Sequence, residues 1–215
     1  MARYIISFLL IVTITLGSDT GFGASSRYTD NEYSDCALIR EWQAIKENKE
    51  AGRELKNIMT ALNEYYTRKP LEFRKEVAQC IQEVGRENGL DPALLLAMIL
   101  TESSFRENAR SKNGALGFMQ LLPSTGHAIS RELRIEWKGR KTLYDAGHNI
   151  RMGAHYLKKL LNRFNDLDIA LTAYNAGPSR VLKYMRRGKT YSQTYAKKVS
   201  RHCKMFTTNY FCAES

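Results

Sequence analysis

No stretch of this sequence alternates apolar and polar residues over more than a few positions, and no segment repeats another. The first absence excludes a β-sheet framework, which would show a period of two, and the second excludes solenoids and propellers. The four cysteines, Cys36, Cys80, Cys203 and Cys212, include no C-x-x-C pair, and His127, His148, His155 and His202 are scattered. No metal site is therefore expected, and no cofactor. The apolar run at residues 4–16 is too short to cross a bilayer as a standard helix, which needs about 20 residues. No cysteine follows that run closely enough to carry a lipid. Between residues 180 and 204 there is no acidic side chain at all.

The N-terminus reads as an export signal: Arg3 supplies a short positive region, residues 4–16 an apolar one and residues 17–26 a small-residue stretch suited to cleavage. Residues 1–24 are assigned to a signal peptide, with Gly23, Ala24 and Ser25 as alternative cleavage points. The expectation is a periplasmic or secreted protein with no stable membrane insertion after cleavage. In such a compartment the four cysteines suggest up to two disulfides, with three possible connectivities.

Formal net charge is +11. Residues 25–70 carry eight basic and eight acidic side chains, so the whole excess lies in residues 71–215, with nine basic residues in 180–204. Such a field favours a polyanionic partner, and export makes nucleic acid the weakest choice. Oligomeric state is left open.

Over residues 37–68, Leu38, Trp42, Ile45, Leu55, Ile58, Met59, Leu62 and Tyr65 recur at helical intervals, giving one or two amphipathic helices. Lys69-Pro70 closes this accessory segment, residues 25–70, because proline disfavours helix in the residue before it. The main domain spans residues 71–208, with a tail at 209–215. A helix over 71–89 stops at Gly89. A short one runs from 123 to about 134, and a basic irregular stretch then reaches Tyr144. Asp145 caps a helix whose apolar face includes Gly153, Tyr156, Leu157 and Leu160; a helical glycine costs about 1 kcal/mol relative to alanine, which close helix packing would justify. Residues 168–175, with Asp168 as cap, form a helix stopped by a left-handed Gly177, and Pro178 opens the next. The last helix covers about 192–206. The class is mostly α, with at most a small β-hairpin near residues 111–116.

Residues 91–120 organise the rest. Asp91-Pro92 is a helix start, and from Ala93 every residue through Leu100 is apolar, so this helix must be covered on all sides. Glu102 then places a carboxylate on its last turn. Burial and the negative end of the helix dipole both disfavour ionisation there, so its pKa should rise toward the range of a general acid. Ser103 and Ser104 read as helix-end caps, since no histidine or lysine lies near them to activate a nucleophile. Glu107 reads as a solvated loop residue. A glycine-punctuated turn through Ser111, Gly114 and Gly117 brings Met119 and Gln120 back toward the helix end.

Residues 75–205 closely resemble the catalytic domain of the soluble lytic transglycosylases, peptidoglycan-cleaving enzymes with a goose-type lysozyme-like fold. The resemblance rests on ordered motifs: Glu102-Ser103, Ser111, Gly114-Ala115 with Gly117-Phe118-Met119-Gln120, Asn149-Ile150 with Gly153 and Tyr156-Leu157, Ala173-Tyr174-Asn175-Ala176-Gly177, and Tyr195. It implies a lysozyme-like helical domain in which Glu102 is the sole catalytic acid/base. Ser111 would orient Glu102 or contact sugar, Met119 and Gln120 would line the cleft, Tyr174 and Asn175 would form its wall, and Tyr195 would lie near the carboxylate. The substrate implied is the peptidoglycan glycan strand. Phe118, Leu122 and Ala146 depart from the residues usual at those places, which affects cleft shape and not chemistry.

Paired-carboxylate glycosidases need two placed acids, and this chain offers one. A single carboxylate serves if the sugar's own C6 hydroxyl is the nucleophile, which gives a 1,6-anhydro product. A lysozyme-type peptidoglycan hydrolase and a non-catalytic wall-binding protein of the same fold are the alternatives.

Overall fold

The computed structural model describes residues 37–212 except Tyr191, with side chains from Arg40 onward. The proposed signal at residues 1–24 and Cys36 lie outside the described residues. The compact unit that carries the site is Ile45–Ser215; residues up to Ala44 cluster separately, and of them only the first turns of α1 are described.

The described elements are helical. They comprise α1 (Ala37–Tyr65), α2 (Leu71–Asn88), α3 (Pro92–Ser103), α4 (Pro123–Glu132), α5 (Arg140–Tyr144), α6 (Ala146–Phe164), α7 (Leu167–Ala176), α8 (Pro178–Arg186), α9 (Thr194–Phe206) and a π-helical turn, Thr207–Phe211. The expected hairpin is reduced to isolated bridges, Arg110 with Leu116 and Leu116 with Leu121.

Helix α3 begins where its sequence says it must. The Asp91 carboxylate accepts from the Ala93 N–H at 2.7 Å, and Pro92 occupies a position whose N–H would have had no partner. All residues from Ala93 through Ile99 are buried. α3 packs against α9 and α2, while α6 packs against α2 and α7. Gly89 ends α2 in the left-handed conformation, φ 60°, and its N–H returns to the Arg86 carbonyl.

Four readings of the sequence change. The stretch before Tyr144 contains the one-turn helix α5. The cap of α7 is Asp166, whose carboxylate accepts from the Ile169 N–H at 2.8 Å, and Asp168 lies in the first turn. Gly177 has φ 88° and ψ 134°, so it stops α7 with a positive φ outside the left-handed helical region and serves as the N-cap of α8. Cys80, Cys203 and Cys212 are free thiols, so none of the suggested disulfides is formed among the described residues.

The second half of α1 belongs to the core: Ile58, Ala61 and Leu62 are fully buried. Tyr66, just beyond α1, packs edge-on against Phe118. At the other end of the chain, Tyr210 in the expected tail donates to the Glu64 carboxylate of α1.

Candidate active site

Glu102 is the penultimate residue of α3, and Ser104 closes that helix in the left-handed conformation with φ 51°. Phe105 also has a positive φ, 55°, so the chain turns sharply within three residues of the carboxylate. Ser103 is buried and donates its hydroxyl back to the Ile99 carbonyl, a satisfied helix-end serine as expected.

The loop that returns to the helix end is pinned from below. Asn149 of α6, 1% exposed, accepts from the Met119 N–H at 2.7 Å and donates to the carbonyls of Leu116 and Leu143 at 3.0 and 2.8 Å. The Tyr174 hydroxyl donates to the Met119 carbonyl at 2.8 Å. A single amide thus satisfies three buried backbone groups that would otherwise be left unpaired. Gly117, φ 79°, sits where a Cβ would overlap the Asn149 amide and the Leu143 carbonyl, so both its conformation and its contacts require glycine.

A cavity of about 390 Å³ opens above this floor, lined by Glu102, Ser111, Gln120, Tyr156, Tyr174 and Asn175 among others. Glu102 is the one carboxylate among its lining residues. Burial pushes the Glu102 carboxyl up from 4.5 to about 7, against opposing pulls from the Tyr195 hydrogen bond and the Lys198 ammonium. Tyr195 of α9 donates its hydroxyl to Glu102 Oε1 at 2.6 Å. Its own phenol is raised well above 10 by burial and by the Glu102 charge, so it stays protonated and acts only as a donor to the carboxylate.

The other expected site residues take distinct places. Ser111 lines the cavity, and its Oγ accepts from the Ala115 N–H at 3.0 Å, closing the 111–115 turn. Gln120 lines it too, but its amide N–H groups go to the carbonyls of Ala109 and Gly117 at 3.1 and 2.9 Å, which leaves Oε1 to accept from a ligand. Asn175 is exposed at the cavity wall and is shared with a neighbouring cavity that Arg180, Tyr195 and Lys198 also line. Met119 corrects the expectation of a cleft-lining side chain. It is fully buried, and a Cβ on Gly153 would run into its side chain, so the helical glycine accommodates a loop methionine rather than a second helix.

The sequence put Tyr156 on the apolar face of α6 and in a family motif but gave it no part in the cleft, whereas it lines the cavity with its ring 5.3 Å from that of Tyr174. Lys198 was grouped with the surface cations. Its position three residues after Tyr195 puts both on one face of α9, and that spacing was the available signal for its influence on Glu102. Glu107 is not simply solvated, since it accepts from the Tyr66 hydroxyl at 2.7 Å and pairs with Lys69.

Among the described residues no group of three or more histidine, cysteine, aspartate or glutamate side chains could hold a metal ion. No described helix is long and apolar enough to cross a membrane.

Residues 79–197 match the sequence model of the Transglycosylase SLT domain, more than half of the chain. The chain belongs to the transglycosylase SLT domain family. Among curated SLT-like relatives, a transglycosylase of Enterobacteria phage PRD1 is 33% identical over 102 residues, 47% of this chain and 35% of the relative. The membrane-bound lytic murein transglycosylase C of Shigella sonnei is 34% identical over 119 residues, 51% of this chain and 33% of the relative. The chain thus spans about a third of the length of these relatives. Among solved structures, an inactive mutant of the lytic transglycosylase Slt from Pseudomonas aeruginosa aligns with TM-score 0.56 and 27% identity, covering 63% of this chain and 24% of that one. The 70 kDa soluble lytic transglycosylase of Escherichia coli, at 23% identity and the same TM-score, shows the shared fold. The helical lysozyme-like architecture implied by the sequence motifs is the SLT fold of these neighbours.

Proposed function

We propose that this SLT-family protein is an exported peptidoglycan lytic transglycosylase that cleaves the β-1,4 bond between N-acetylmuramic acid and N-acetylglucosamine, with Glu102 as its sole acid/base. The observation that carries the reading is a carboxyl whose pKa is about 7, in a cavity lined by no second carboxylate. A pKa near working pH lets one group give a proton and then take one. Glu102 protonates the leaving O4 as the C1–O4 bond breaks and cation-like character develops at C1. The carboxylate so formed accepts the proton of the same sugar's C6 hydroxyl as O6 bonds to C1. The carboxyl is regenerated, no water is consumed, and the product carries a 1,6-anhydro ring.

Tyr195 stabilises the carboxylate form between the two proton transfers, and the muramyl N-acetyl carbonyl shields C1. Gln120 Oε1 and the Asn175 amide suit the hydrogen-bonding groups of an N-acetyl substituent. Ser111 holds the turn that faces the sugar. In this reading residues 1–24 direct export, residues 71–208 form the catalytic domain, and α1 of the 25–70 segment braces it. The location is periplasmic or secreted.

The test is digestion of purified sacculi followed by mass spectrometry of the muropeptides. The proposal expects anhydro ends, and at least about a 100-fold lower yield from Glu102→Gln with sacculus binding retained. Reducing ends, one water heavier, would make the protein a lysozyme-type hydrolase, and undiminished turnover by Glu102→Gln would remove Glu102 from the mechanism.

A further inference from the structure

The seam between α3 and α9 holds one titratable side chain that the reaction does not use. His202 lies on α9 four residues after Lys198, which itself follows Tyr195 by three, so all three share one face of that helix. α3 packs against α9, and the two run antiparallel: Tyr195, in the first turn of α9, reaches Glu102 at the end of α3, while His202, two turns on, reaches Thr101 and Ala97 farther back. The segment matched by the family ends at residue 197, so the match assigns His202 nothing.

The hydrogen bonds decide which ring nitrogen carries the proton. Thr101 Oγ1 donates to the Ala97 carbonyl one turn back in α3, at 2.7 Å, a local bond open to any helical threonine. That hydroxyl has a single proton, so toward His202 Nδ1, 2.9 Å away, it presents a lone pair. The imidazole also has the Ala97 carbonyl as a partner, and a carbonyl only accepts. Nδ1 is therefore the donor. Burial lowers the His202 pKa, with the Lys198 and Arg201 charges adding to it and the Ala97 bond opposing, so the ring is neutral near pH 7 and its one N–H lies in this contact.

We propose that His202 is a positioning residue for the acid: its Nδ1–H, held by Thr101 Oγ1, sets the register of α9 along α3 at which the Tyr195 hydroxyl meets Glu102. Thr101 is the residue next to Glu102, so a donor fixed there limits how far one helix slides along the other. The limit matters because hydrogen bonds are short-ranged: a slip of about 1 Å carries the 2.6 Å contact between Tyr195 and Glu102 out of bonding distance. His202 is not among the residues lining the cavity at Glu102, so it acts through Tyr195 and not on substrate. The role rests on Glu102 being the acid of the proposed reaction.

The experiment uses the full-length chain and reads two quantities, cleavage of a soluble glycan strand and the titration of Glu102. The second is followed by the carboxyl carbon resonance in glutamate-labelled protein, identified by its loss in Glu102→Gln. His202→Leu keeps bulk but removes the donor; kcat should fall about tenfold with KM within about twofold, and Glu102 should titrate at higher pH because its bond from Tyr195 is loosened. In the Tyr195→Phe background the same change should alter kcat by less than about twofold and leave the titration where Tyr195→Phe puts it, the non-additivity expected of residues that act through one contact. His202→Asn carries an amide N–H at the place of Nδ1–H and should return kcat to within about threefold of wild type, whereas His202→Gln, whose amide reaches the place of Nε2, should not; recovery by Asn also shows that the loss in His202→Leu is not misfolding. Equal losses in both backgrounds, Asn no better than Leu, or a Glu102 titration unmoved by His202→Leu would each overturn the assignment and leave His202 a packing residue. Because the titration needs no turnover, it decides the role of His202 even if the wild type releases reducing ends, or cuts nothing, and the transglycosylase reading fails.

Discussion

The Tyr195 hydroxyl donates a 2.6 Å hydrogen bond to Oε1 of Glu102, joining the end of α3 to the first turn of α9. The bond opposes the effect of burial on the same carboxyl. Tyr195→Phe removes a donor that favours the ionised form, so the pKa of Glu102 should rise above about 7. In a pH profile of kcat/KM the limb at which Glu102 loses its proton should therefore move to higher pH, and Lys198→Met should move it the same way. A limb that stays fixed, or moves down, would mean that the pair does not set the proton affinity.

The raised carboxyl also links stability to pH. The folded value of about 7 lies above the ordinary 4.5, so the stabilising contribution of the protonated form is complete below about 4.5 and lost as pH rises through 7. At 1.36 kcal/mol per pH unit the loss approaches about 3 kcal/mol. Glu102→Gln cannot ionise and should escape it. Urea denaturation of both proteins at pH 5 and pH 8 should show the variant gaining relative to wild type as pH rises, and a constant difference would contradict the burial of this charge.

Gly153→Ala separates helix propensity from packing. In an open helix the change would stabilise by about 1 kcal/mol. Here the new methyl runs into Met119, so we expect a loss of about 1–3 kcal/mol. Combining it with Met119→Ala should make the second change cheaper than the sum, a coupling that urea denaturation of the four proteins reads directly. Strict additivity would show that the two groups do not touch.

These cases mark what the sequence disclosed. The start of α3, the cap at Asp145 and the stop at Gly89 were legible because each depends on a residue and its immediate neighbours. The prominence of Glu102 was legible because an acid at the end of an all-apolar helix has few bland explanations. Met119 was misplaced because its neighbours in sequence are cleft residues, while its burial depends on Gly153, 34 positions away. Similar distances hid the roles of Asn149, whose three partners lie in the loop before α4 and in α5, and of Glu107, whose partners Tyr66 and Lys69 belong to a segment that looked accessory. Asp166 was passed over for Asp168 because two acids two residues apart are equally good caps on paper.

The cations of α8, α9 and the link between them predict a salt-dependent hold on the cell wall. Arg186, Arg187 and Lys189 are exposed and have no acidic neighbour in residues 180–204. Screening shortens from about 10 Å at 0.1 M salt to about 3 Å at 1 M, so sacculus binding should fall steeply over that range. Changing all three to glutamate should weaken binding and flatten its salt dependence while leaving cleavage of a short soluble glycan nearly unchanged. Wild-type binding by the triple variant at low salt would deny this face a role in holding substrate.

The account turns on whether the sugar's own hydroxyl, and not water, completes the reaction begun by Glu102. The direct measurement is digestion of sacculi in water enriched in heavy oxygen, with mass spectrometry of the new glycan ends. Attack by O6 predicts anhydro ends with no heavy oxygen incorporated. Reducing ends carrying one heavy oxygen per cleavage would show that water is the nucleophile and contradict the single-carboxylate mechanism.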